Sequence, residues 1–106
     1  MNTLLEKLEG LVARYEEVET LITDPAVIGD QARYVRLTKE YKELEDLMSA
    51  KKEYATLLDN LEEGKDLLVN EQDPEMKEMA REEVAACEAK IPQFEERIKL
   101  MLVPKD

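Results

Sequence analysis

The chain has 106 residues, a net charge of −11, 43% apolar and 39% charged side chains, with one Phe and no Trp. There is no run of Lys and Arg long enough to neutralise a nucleic-acid backbone, and no apolar run near the roughly 20 residues that span a bilayer. Extensive direct RNA or DNA binding and membrane insertion are therefore not expected. With one cysteine and no histidine, an internal disulfide, a thiol metal cage and His-based catalysis are excluded as well.

The remaining composition, rich in charge and aliphatic residues and poor in Gly and Pro, reads as long helices with one apolar stripe. In residues 2–23, Leu4, Leu8, Leu11, Tyr15, Val18 and Ile22 recur at alternating spacings of four and three, a heptad seam. Leu5, Val12 and Leu21 widen it. The spacing predicts one helix, capped by Asn2 or Thr3, with Gly10 tolerated inside at a cost of about 1 kcal/mol against Ala. Asp24-Pro25 then starts a turn. Pro25 to Ile28 suits one short helical turn, Gly29 breaks it, and Asp30 caps the next helix.

Residues 31–70 hold no proline and one glycine, Gly64. The seam Tyr34, Leu37, Tyr41, Leu44 and Met48 loses register at Lys51 and resumes through Leu47, Tyr54, Leu58, Leu61 and Leu68. This predicts one long helix, about 60 Å if continuous, with a kink or break in residues 48–52 near Ser49. A third helix restarts with Asp73 as cap, Pro74 at its first position and Glu75 in its first turn. Its stripe runs Met76, Ala80, Val84, Cys87, Ile91, Phe94, Ile98 and Met101, in phase across Pro92. Pro92 removes the bond to the carbonyl of Glu88, so a kink within 88–92 is expected rather than a helix end. Pro104 stops any further helix. No stretch alternates with period two, as a half-buried strand would. The fold class is all-α, an antiparallel bundle or hairpin of three long helices within a single domain spanning 1–106, with links at 24–30 and 71–74.

The chemistry is sparse. The carboxylate doublets Glu16–Glu17, Glu62–Glu63, Glu82–Glu83 and Glu95–Glu96 diverge by about 100° on a helix, which suits a solvated face and not an acid/base or metal site. A di-metal bundle would need Glu-x-x-His pairs that are absent. Cys87 sits on the apolar stripe as a small hydrophobe. The five methionines could line a partner groove, but Met76 and Met79 are expected to pack in the core and against the helix end. Tyr34, Tyr41 and Tyr54 are expected to bury their rings and keep their hydroxyls wet. No catalytic, cofactor-binding or metal-binding residue is assigned, and the partner-contact residues stay unassigned. Counted by the two Asp-Pro turns, the charge is −4, −4 and −3 for 1–24, 25–72 and 73–106, so the acidity is even along the chain and favours a basic protein surface as partner. The charged start "MNTLLEKLEG" is unlike a signal peptide, and the single cysteine suits a reducing cytoplasm.

Three segments carry a family resemblance. "ITDPAVIGDQARYVRLTKEYKEL" (22–44), "DPEMKEMAREEV" (73–84) and "LMLVPKD" (100–106) stand in the order and spacing of the N-terminal domain of bacterial peptide chain release factor 1, a class I release factor, which the chain resembles. The matching frame in the first is Asp24-Pro25, Val27, Asp30, Arg33-Tyr34, Leu37, Lys39-Glu40-Tyr41 and Leu44. Gly29 and Pro92 depart from the usual pattern and bear on local helix geometry. The resemblance implies that "LMLVPKD" marks a passage into further domains. It implies a factor that reads the stop codons UAA and UAG and promotes peptidyl-tRNA hydrolysis on the ribosome through a Gly-Gly-Gln loop. This chain holds neither Gly-Gly-Gln nor a Pro-x-Thr codon-reading tripeptide. The resemblance further implies a non-catalytic arm, projecting toward the stalk base of the large subunit and linked to the GTPase class II release factor. The residues alone leave a second reading open: a free-standing coiled-coil adaptor or chaperone-like assembly protein that self-associates through the heptad seam.

Overall fold

A computed structural model describes residues 2–104. Lys105 and Asp106 of the C-terminal "LMLVPKD" lie outside them. The described residues form five helices and no strand: α1 (Thr3–Glu9), α2 (Val12–Leu21), α3 (Pro25–Ile28), α4 (Gln31–Asn70) and α5 (Pro74–Met101). The all-α reading holds.

The helix starts match the expected caps. Leu5 N–H donates to the Asn2 side chain at 2.8 Å, Ala26 N–H to Asp24 at 2.9 Å, Arg33 N–H to Asp30 at 3.2 Å and Glu75 N–H to Asp73 at 3.1 Å. Each cap satisfies a backbone donor that lacks an intrahelical partner. Pro25 and Pro74 sit in the first turns of α3 and α5. α5 ends at Met101, ahead of Pro104.

Two expectations about helix continuity are corrected. Residues 2–23 are two helices, not one. At Gly10 and Leu11 the backbone stays right-handed, with φ/ψ of −65/−15 and −91/−10, but Leu11 N–H bonds back only three residues, to Leu8 O at 3.1 Å. Gly10 lacks the side chain that would favour a continued α-turn, so the chain tightens there. The seam survives the change: Leu8 and Val18 are buried, and Leu4, Leu11, Tyr15 and Ile22 are half-buried. In contrast, α4 is not broken at residues 48–52. Leu47, Ala50 and Tyr54 are all buried and keep helical spacing across the apparent slip. Ala50 is the seam residue, and Lys51 turns aside to pair with Glu9 at 3.3 Å. α5 also runs on through Pro92, which is exposed.

The chain divides into two compact units between residues 51 and 52. In the first, α2 lies antiparallel to the beginning of α4, so that Arg14 meets Glu40 and Tyr15 stacks on Tyr41 with ring centroids 5.4 Å apart. Leu8, Val18, Val27, Leu37, Leu44, Leu47 and Ala50 are its buried apolar residues. In the second unit, the later part of α4 lies antiparallel to α5. Gly64 faces Val84, Tyr54 lies parallel to Phe94 at 6.4 Å, and Glu53 approaches Arg97. Tyr54, Ala80, Val84, Cys87 and Ile98 are buried there.

Candidate functional site

Members of three of the four carboxylate doublets take separate partners. Glu17 takes Arg14 Nη1 at 2.7 Å, Glu83 takes the Cys87 thiol at 3.4 Å, Glu95 takes the Tyr54 hydroxyl at 2.6 Å and Glu96 takes Lys99 at 3.3 Å. Among the described residues, no group of three or more Cys, Asp or Glu side chains is placed to hold a metal ion. Burial, with the Glu83 hydrogen bond and charge behind it, pushes the Cys87 thiol above its ordinary pKa. It is buried and inert, since the thiolate is the reactive form.

In the first unit the polar contacts hold helices together. The Arg14 guanidinium donates from Nε and Nη2 to the two oxygens of Glu40, both at 2.7 Å, a bidentate fork. The Arg14 hydrogen bonds hold Glu40 below the usual carboxylate range. The Tyr41 hydroxyl lies 3.4 Å from both Tyr15 Oη and Glu19 Oε2. The Tyr15 contact, then burial, then the nearby Glu19 and Glu45 charges push its pKa up, so it stays protonated. Tyr54 departs from expectation: it is fully buried, and its hydroxyl is satisfied by Glu95 instead of water.

Two parts of the second unit's surface stand out. The first is the end of the hairpin where α4 turns into α5. Met76 and Met79 are 42% and 65% exposed, which overturns their placement in the core. Leu67 at 41% and Val69 at 82% are exposed with them. A shallow groove of ≈ 360 Å³ connects Leu67, Met76 and Met79 with Glu63, Gly64 and Glu83. Residues 60–85 carry nine carboxylates against three basic side chains, so the hairpin end is much more acidic than the even charge along the chain suggests. The division at the Asp-Pro turns cuts this acidic stretch in two at residue 73, which is why it does not show in the segment charges. Methionine adds a deformable apolar contact to it.

The second surface is an open groove of ≈ 610 Å³ between α4 and α5 farther from the turn. Leu57 and Phe94 supply apolar surface, and Lys52, Lys90 and Arg97 outnumber the single carboxylate, Glu53. Lys90, Phe94 and Arg97 share a face of α5 by their spacing, a pattern present in the sequence but hidden by the overall acidity.

Residues 11–106 match the family model of the PCRF domain. The chain belongs to the PCRF domain family. Over 105 residues, 99% of its length, it is 66% identical to peptide chain release factor 1 of Bacteroides fragilis. The corresponding protein of Bacteroides thetaiotaomicron is 64% identical and that of Parabacteroides distasonis 60%, over the same span. The chain spans 28% of the length of these relatives. No solved structure matches it. The family resemblance read from the three segments is thereby borne out, Gly29 and Pro92 notwithstanding. Gly29 closes α3 with ordinary right-handed angles, φ −71 and ψ −12, so its place there does not depend on a glycine-only conformation. No helix among the described residues is long and apolar enough to cross a membrane.

Proposed function

We propose that this PCRF-family chain is the N-terminal accessory domain of a cytoplasmic translation termination factor, and that it positions the factor without taking part in chemistry. The observation that carries this is the 60–66% identity over 99% of the chain to proteins named peptide chain release factor 1, of which it spans 28%. In this reading the whole factor recognises UAA and UAG and promotes peptidyl-tRNA hydrolysis on the ribosome. Residues 1–106 contribute neither codon reading nor the hydrolytic loop, and bind no nucleic acid directly. Their role is to bring an acidic helical surface to basic ribosomal protein near the large-subunit stalk base, with the GTPase class II release factor as a further partner. The acidic, methionine-bearing end of the α4–α5 hairpin has the charge and the apolar anchors for such a contact.

Peptide release from ribosomes stalled on UAA tests the reading directly. The isolated chain should release no peptide. The full-length factor with Glu62→Lys, Glu63→Lys and Met79→Ser should associate more slowly, with a weaker salt dependence, while release at saturating factor stays unchanged. Hydrolysis by the isolated 106 residues would overturn the reading, and unchanged association kinetics would remove the hairpin end from it.

A further inference from the structure

We propose that the groove between α4 and α5 around Phe94 is a docking site for an acidic peptide segment of a partner protein, seated by an aliphatic anchor. Charge sets this groove apart from the rest of the molecule. The chain carries 26 acidic and 15 basic residues, yet the groove reverses that ratio, with Lys52, Lys90 and Arg97 set against Glu53 alone. Two of the three cations are not consumed internally. Among the described residues neither Lys52 nor Lys90 forms an ion pair, while Arg97 pairs with Glu53 at 4.0 Å and lies over the Phe94 ring. Glu95, the nearest acidic neighbour of Phe94 in sequence, is tied to the Tyr54 hydroxyl and does not line the groove. A partner with carboxylates meets the unpaired charge of Lys52 and Lys90 here, whereas a basic partner is repelled.

The shape selects a peptide over a nucleic acid. Single strands are held by bases stacked on open aromatic faces. The Phe94 ring is already engaged: the Arg97 guanidinium carbon lies 4.7 Å from its centroid, and the Tyr54 ring lies parallel to it. Phe94 and Leu57 form an apolar floor between two antiparallel helices, the setting in which a third amphipathic segment lays its apolar side chains. The groove volume of ≈ 610 Å³ falls within the roughly 300–1,000 Å³ of sites that hold compact ligands. This docking site is independent of the termination reading, because its charge is opposite to that of the hairpin end. Failure of one leaves the other standing.

The test uses a display library of random short peptides panned on the whole chain, with K52E/K90E/R97E as the counter-selecting variant and circular dichroism as the check on folding. The milder K52Q/K90Q pair serves if the triple variant unfolds. Enriched peptides should combine Asp or Glu with Leu, Ile, Val or Met. They should bind the variant at least about tenfold more weakly than the wild type and lose affinity as salt rises. Amide shifts on binding should centre on residues 52–57 and 90–97. The proposal is overturned if no peptide is enriched, if enriched peptides are not acidic, or if the variants bind them equally well. It is also overturned if the shifts fall at the hairpin end, or if a poly-U oligonucleotide or a second copy of the chain takes the groove instead.

Discussion

The two units solve the same problem, holding antiparallel helices side by side, with different chemistry. In the first, long polar side chains span the gap: Arg14 forks onto Glu40, Lys51 reaches Glu9 and two tyrosine rings stack beside them. In the second, small residues let the backbones approach. A Cβ placed on Gly64 would come within 2.8 Å of Val84 Cγ2, and Ala80 and Cys87 are buried nearby in sequence. Tolerance to substitution differs accordingly. Exposed polar bridges contribute little and yield to substitution. Close-packed small residues have no room to yield.

Substitutions in each unit test that contrast, from the largest effect down. Leu44 is buried in the first unit, and Leu44→Ala should destabilise by roughly 2–5 kcal/mol in denaturant unfolding. A loss below about half a kcal/mol would show that the apolar stripe, and not the polar bridges, is dispensable there. In the second unit, Gly64→Ala should cost about 1–3 kcal/mol through overpacking, less the roughly 1 kcal/mol that Ala gains over Gly in a helix. Adding Val84→Ala should recover part of the overpacking cost, and a double-mutant cycle without coupling would show that the close approach does not constrain Gly64.

Smaller effects come from the helix start and the polar bridge. Asp73→Ala removes the cap on Glu75 N–H and should cost about 1 kcal/mol in the same unfolding experiment. Glu40→Gln should cost less than about 1 kcal/mol, because Arg14 and Glu40 are 40% and 36% exposed and water screens the pair. Its pH dependence is the sharper readout. Arg14 depresses the Glu40 pKa in the folded state, so the pair's contribution is complete above the ordinary glutamate value and is lost as pH falls through the folded value. The stability difference between wild type and Glu40→Gln should therefore shrink on acidification. A difference constant down to pH values below both would mean that the bridge is not ionic in origin.

Much of this architecture is legible along the chain. The heptad seam through Leu8 and Val18, the stripe through Ala80, Val84, Cys87 and Ile98, and the caps at Asn2, Asp24, Asp30 and Asp73 arise from local spacing and local hydrogen bonding. Elsewhere the deciding factor lay beyond the local pattern. Lys51 looks like a loss of register because Ala50, small and only weakly apolar, does not stand out as core. Met76 and Met79 look like core because they come just after a helix start on the stripe, yet the described residues leave them 42% and 65% exposed at the hairpin end.

Helical class, the capped helix starts at Asn2, Asp24, Asp30 and Asp73 and the family were settled by the order of residues, because capping, periodicity and residue identity are properties of neighbours along the chain; the uncapped start of α2 was not. The basic rim of the groove was settled only by packing. Antiparallel pairing of α4 with α5 places residues far apart in sequence side by side. It sets Lys52 of α4 beside Lys90 and Arg97 of α5 in a groove with a basic rim, whereas the acidity of the hairpin end was already present in residues 60–85.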